Sequence, residues 1–173
     1  QRKKKYNYEH IFVDNNFFEA SKKILEIIAT QNKHVKELFN KENYEVLPSI
    51  YNALKFAKGD GVLICYSADG QDPIETLDVY LNYYERGYDV ISAQRVLRDE
   101  NKFWFFLKFV YYFNYIFFNK YFNIREKKHF FVNVFQLVNK DVLKKILKFD
   151  CDYPHLPSLC YINGKKIKSI NSR

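Results

Sequence analysis

Ala57-Lys58-Gly59-Asp60-Gly61-Val62-Leu63-Ile64-Cys65-Tyr66-Ser67-Ala68-Asp69-Gly70-Gln71-Asp72-Pro73-Ile74-Glu75 is the stretch whose reading decides the fold. Gly59-Asp60-Gly61 breaks the chain after a helical segment. Val62 to Tyr66 is a short unbroken apolar run, as expected of a strand covered on both faces in a parallel sheet. Asp69, Gln71 and Asp72 follow where that strand would end, and ligands of open α/β sheets bind at the carboxyl ends of strands. Oxygen donors there suit a hard cation, Mg²⁺ or Mn²⁺, carrying a phosphorylated substrate. The competing reading of Asp72-Pro73-Ile74-Glu75 is a helix start, with Asp72 as cap, Pro73 in the first turn and Glu75 completing a capping box. That reading explains Asp72 and leaves Asp69 unexplained.

Outward from this stretch, Tyr8 to Val13 reads as a strand ending at Asp14. Asn16-Phe17-Phe18-Glu19 has the form of a capping box, and Ala20, Ile24, Ile27 and Ile28 make one face of the helix after it. Val35 to Phe39 is a short strand. A helix over residues 47–58 spaces Ser49, Ala53 and Ala57 four apart, a shallow stripe on which a sheet can pack. Leu77, Leu81 and Tyr84 share one side of the helix after the acidic tip, which Gly87 closes. Asp89 to Ala93 and Phe130 to Val138 are further strands. Asn139 caps a helix over 141–148, and Lys165 to Ile170 alternates like an edge strand with a basic face.

These motifs resemble the family 2 glycosyltransferases, in particular the branch typified by dolichyl-phosphate mannosyltransferase, which acts on polyprenyl phosphates. That branch carries Ala-x-Gly-Asp, a strand, and Asp-Ala-Asp-x-Gln-Asp-Pro-Pro-Glu, then Gly-Tyr-Asp-Val-Val and an arginine pair. Here the counterparts are Ala57 to Asp60, Ser67 to Glu75, Gly87-Tyr88-Asp89-Val90-Ile91, and Arg95 with Arg98. The resemblance implies an α/β, GT-A-like (Rossmann-like) fold, a mostly parallel sheet flanked by helices, in one domain over 1–173. It implies inverting, metal-assisted transfer of a sugar from a nucleotide-diphosphate donor to a polyprenyl phosphate or related cell-envelope glycan acceptor.

The resemblance also assigns roles. Asp69 and Gln71 would hold Mg²⁺ or Mn²⁺, and Asp69 and Arg95 would be catalytic. Asp14, Asn43, Ser67, Asp69 and Arg95 would bind the donor, Asp14 standing where the family's Val-Asp-Asp-Gly-Ser has its nucleoside-contacting aspartate. Arg98, Lys108 and Gln136 would face the acceptor phosphate, arginine being apt because its planar fork grips two oxygens. The departures are equally specific. Asn15 and Asn16 replace the second aspartate and the glycine of that motif. Glu45 replaces the glycine of an Asn-x-Gly, Ser67 replaces the first metal aspartate, and Gln136 stands for an arginine. These departures motivate an alternative, a catalytically inactive relative serving as a binding or assembly module.

The family's first strand, with a Val-Pro-x-Tyr-Asn-Glu-like motif, has no counterpart. Either the native protein is longer and this is a fragment, or the region has been lost. A partner chain, including a second copy, or an incomplete donor site is then expected, because flanking strands would expose unpaired backbone groups.

At 173 residues with a formal charge of +8, the chain can bury a sizeable core and favours anionic partners. A nucleic-acid binder would rest on charge alone, since the lysines are scattered and no such motif occurs. Cys65, Cys151 and Cys160 form no zinc pattern and suit a reducing cytosol. Aromatics reach 19% and concentrate at Phe103 to Phe118. That segment is too short and too polar for a membrane span. It fits an amphipathic helix lying in the interface, or else a buried core helix. The interfacial reading places the protein at the inner face of a membrane, peripheral and cytoplasmic.

Overall fold

The computed structural model describes residues 6–16, 19–65, 74–95, 110, 135–149 and 155–172. The elements are β1 (His10–Asp14), α1 (Glu19–Gln31), β2 (Val35–Phe39), α2 (Val46–Leu54), β3 (Gly61–Ile64), a 3-10 turn (Ile74–Thr76), α3 (Leu77–Glu85) and β4 (Val90–Arg95). Then come β5 (Gln136–Asn139), α4 (Lys140–Ile146), α5 (Leu156–Asn163) and β6 (Ile167–Ser172). The aromatic segment 103–118 apart from Val110, the cap at Asp72 and the end of the expected strand at Tyr66 lie outside the described residues.

Alternation of helix and strand gives the expected α/β architecture, but the strands divide into two sheets. β1 and β2 pair in parallel, and the second sheet has the order β3-β5-β4-β6. There β4 and β6 are parallel, while β5 runs against both β3 and β4. Among the described residues no strand pairs with the second edge of β1 or of β3.

Side-chain alternation across the register sorts the core into two layers. Val62, Val138, Val90 and Ile167 stand in one row, and Ile64, Gln136, Ser92 and Ser169 in the next row on the same face. This face is covered by Ile50, Tyr51 and Leu54 of α2, Val142, Leu143 and Ile146 of α4, and Leu156 and Cys160 of α5. Burial pushes the Cys160 thiol up to about 12. The opposite face carries Leu137, Ile91, Ala93 and Phe135 against Tyr80 of α3. Tyr80 is fully buried, meets Phe135 edge-on at 5.3 Å between ring centroids, and donates its hydroxyl to the Phe135 carbonyl. Gly87 closes α3 at φ 76°, with the Tyr88 N–H bonded back to the Tyr83 carbonyl, as the sequence predicts. Asn139 caps α4 by accepting from the Val142 N–H at 2.9 Å.

α1 departs from its reading. Ala20, Ile24, Ile27 and Ile28 do share a side of the helix, but that side is exposed, and no residue of α1 is buried. α2 also stops at Leu54, short of the expected 58; of the small-residue stripe Ser49 is buried, and Ala53 and Ala57 are half-buried.

Asp89, the loop residue before β4, ties three strands together. Its carboxylate accepts from the N–H groups of Lys165 and Lys166 before β6, at 2.9 and 2.8 Å, and from the Asn139 amide at the end of β5. Partial burial would raise the Asp89 pKa, but these donors and the Lys145 charge hold it below the ordinary carboxylate value. A depressed folded pKa contributes stability that is present above the unfolded value, near 3.9, and lost as pH falls through the folded value. Asp89→Asn is therefore expected to cost about 1–3 kcal/mol at neutral pH. In urea melts the gap between variant and parent should shrink below about pH 4.

Candidate functional site

The carboxyl ends of β1 and β2 meet at a junction of four asparagines and a serine. The ladder closes with the Asn40 N–H donating to the Asp14 carbonyl at 3.0 Å. The Asp14 carboxylate accepts the Asn16 N–H at 2.8 Å through Oδ1, and no described residue donates to its Oδ2. Asn15 turns the other way. Its Oδ1 lies within bonding distance of Asn40 Nδ2 (2.9 Å), the Tyr44 N–H (3.0 Å) and the Ser49 hydroxyl (2.8 Å). The single Ser49 proton is shared with the Glu45 carbonyl, 2.6 Å away. Asn15 Nδ2 donates to Asn43 Oδ1 at 2.6 Å, and the same oxygen accepts the Glu45 N–H at 3.0 Å.

Two backbone angles in this junction fall at the sequence departures. Asn16 has φ 62° and Glu45 φ 68°, and these are the non-glycine residues at positive φ among the described residues. Both stand where the resembling family has glycine. Asparagine is among the residues that visit the left-handed region most readily, and the Asn16 amide also donates across the junction to the Lys41 carbonyl at 3.1 Å. Asn16 therefore does not act as the extended N-cap that its capping-box pattern predicts. Glu45, with ψ 174°, occupies a region that is essentially glycine-only and costs of order 1–3 kcal/mol.

Of the remaining site candidates, Arg95 and Gln136 fall on described strands. Arg95 ends β4, paired in register with Ser172; its side chain, together with Ser67, Asp69, Gln71, Arg98 and Lys108, lies outside the described residues. Among the described residues no three His, Cys, Asp or Glu side chains gather as a metal centre. Gln136 begins β5 between Ile64 and Ser92. It is 1% exposed, and its Nε2 has no hydrogen-bond partner among the described residues. A buried amide in that state is costly unless something else meets it. Asn15, Asn40 and Ser49 were not readable as a unit; their signal was the recurrence of asparagine just beyond two adjacent parallel strands.

Residues 1–147 match the sequence profile of Glycosyl transferase family 2. The chain belongs to that family. It is 30% identical over 95 residues to a bactoprenol glucosyl transferase of Shigella phage SfV, covering 55% of this chain and 31% of the relative. It is 33% identical over 99 residues to an undecaprenyl-phosphate 4-deoxy-4-formamido-L-arabinose transferase of Proteus mirabilis, covering 57% and 29%. The chain thus spans under a third of the length of these curated relatives. Its fold matches the crystal structure of S. aureus TarS 1-349 with a TM-score of 0.62 at 14% identity, over 95% of this chain and 49% of that one. The same protein in complex with UDP-GlcNAc matches with a TM-score of 0.58 at 15% identity, over 95% and 50%. The fold is the GT-A type that the motifs implied.

Three substitutions test these assignments. Glu45→Gly removes the strained conformation and is expected to raise stability by about 1 kcal/mol net of glycine's extra chain entropy. Asn16→Gly should stay within about 0.5 kcal/mol in the same urea titration. Gln136→Leu deletes an unpartnered buried amide and is expected to stabilise the fold by about 1 kcal/mol while lowering any sugar-transfer rate.

Proposed function

We propose that the protein transfers a sugar from a nucleoside-diphosphate donor to a polyprenyl phosphate at the cytoplasmic face of a membrane. The observation that carries this reading is the junction at the ends of β1 and β2. There an aspartate with one uncommitted oxygen and an asparagine amide stand where nucleotides bind in parallel α/β sheets. Membership of family 2 and relatives named for bactoprenol and undecaprenyl phosphate support the chemistry and the acceptor.

In this reading Asp14 and Asn43 take the nucleoside. Arg95, the last residue of β4, and Ser67 serve the diphosphate. Asp69 and Gln71, beyond β3 in sequence, would hold Mg²⁺ or Mn²⁺, which when bound offsets the charge of the departing diphosphate. Arg98, Lys108 and Gln136 serve the acceptor phosphate, for which Gln136 Nε2 is an unspent donor. A phosphate monoester has its second pKa near 6 and is largely dianionic at neutral pH. It can attack the sugar carbon from the face opposite the leaving group, inverting the centre, without a dedicated general base. No helix among the described residues is long and apolar enough to cross a membrane, and the aromatic stretch 103–118 is proposed to rest in the interface.

The test is transfer of labelled sugar from UDP- and GDP-sugars to polyprenyl phosphate by the full-length protein with Mn²⁺. Asp14→Ala is expected to raise the donor KM by about tenfold or more, the worth of one lost charged hydrogen bond. Asp69→Ala should lower kcat. Nucleotide binding without turnover for any donor would identify a binding module instead.

A further inference from the structure

We infer that Asn15 is a positioning residue that fixes the Asn43 side chain as a hydrogen-bond donor toward the nucleoside. The inference rests on the nucleotide-sugar reading for the identity of the ligand, but not for the geometry.

An asparagine amide has two near-equivalent orientations that present opposite chemistry, and its partners decide between them. Here two backbone donors do so independently. The Tyr44 N–H points at one terminal atom of Asn15, which must be oxygen, because an amide nitrogen does not accept. The other terminal atom, Nδ2, is thereby turned to Asn43 at 2.6 Å and needs an acceptor there. The Glu45 N–H makes the same demand of that Asn43 atom from a second direction, at 3.0 Å. Both demands are met only with Asn43 Oδ1 inward. Its Nδ2 is then carried outward, and no described residue accepts from it. Asn43 is exposed, so this amide is available to an acceptor such as a nucleobase carbonyl or ribose oxygen.

A carboxylate at position 15, as in the resembling family, would reverse this. One of its oxygens would face Asn43 Oδ1 at contact distance, and the repulsion would be relieved by turning the Asn43 amide over. The Asn43 nitrogen would then serve the carboxylate, its oxygen would point outward, and the Glu45 N–H would lose its acceptor. The replacement of Asp by Asn at position 15 thus selects a donor over an acceptor at position 43.

The experiment is a double-mutant cycle on the full chain, read by calorimetric titration of UDP and of GDP. Asn15→Asp is expected to weaken binding by about tenfold in the native background, the worth of one hydrogen bond to the ligand. In the Asn43→Ala background it should add less than about twofold, since the group through which Asn15 acts is gone. Equal losses in both backgrounds overturn the inference, because a merely structural role would weaken binding regardless of residue 43. Should Asn15→Asp fail to fold, or the native chain bind neither nucleotide, side-chain amide exchange in the native protein decides the geometry. Slow exchange at Asn15 Nδ2 with fast exchange at Asn43 Nδ2 supports the assignment, and the reverse order overturns it. Absence of nucleotide binding by the native chain would remove the proposed function while leaving that exchange result to stand.

Discussion

The register of β5 between β3 and β4 is the constraint on which the larger sheet depends. A strand in that position satisfies the backbone groups of both neighbours, and a slip of one residue would turn every side chain to the opposite face. Gln136 would then join the α3 layer, and Leu137 would leave it. Asp89 guards against this slip by bonding the Asn139 amide at the far end of the strand while holding the Lys165 and Lys166 N–H groups at the approach to β6. Part of the Gly-Tyr-Asp-Val block that marks the family is therefore architectural. Gly87 ends a helix, Asp89 clamps three strands, and Val90 and Ile91 fill opposite layers of the core.

The smaller sheet is held differently. β1 and β2 contribute little burial, and their side chains are half-exposed throughout most of their length. Polar bonds at the strand ends supply cohesion instead. Glu9 accepts the Lys58 N–H and pairs with Lys36, which holds its pKa down against the opposing effect of burial. At the other end the asparagine junction does the same with neutral groups. Neutral amides and a hydroxyl bond one another there, with Ser49 buried and the asparagines half-buried or exposed. The Asp14 carboxylate spends one oxygen on the Asn16 N–H within its own turn, and its other oxygen has no described partner.

Two positions at the strand-end junction carry backbone strain. Asn16 and Glu45 both hold positive φ, a conformation that favours glycine, at different costs. The asparagine bonds the Lys41 carbonyl and is nearly at home. The glutamate is strained, and its own N–H bond to Asn43 helps to hold it there. Strain kept at a strand-end junction is consistent with a position whose backbone path matters more than its stability.

Sequence alone determined the α/β class, the strand at 35–39, a strand from Tyr8 to Val13 that the structure begins at His10, the cap at Asn139, the stop at Gly87 and the family. Each of these is local, set by a few residues whose periodicity, capping chemistry or motif spacing is complete within a short window. It also pointed to Asp14, Asn43 and Gln136. Only the tertiary structure decided that the Ile24, Ile27 and Ile28 face of α1 is exposed, that Tyr80 anchors a core layer, that Gln136 is buried with an unpartnered nitrogen, and that Asn15, Asn40, Asn43 and Ser49 form one hydrogen-bonded unit. Which face of a helix is covered, and which way an amide turns, depend on partners tens of residues away, and those partners are chosen by the packing of the whole chain.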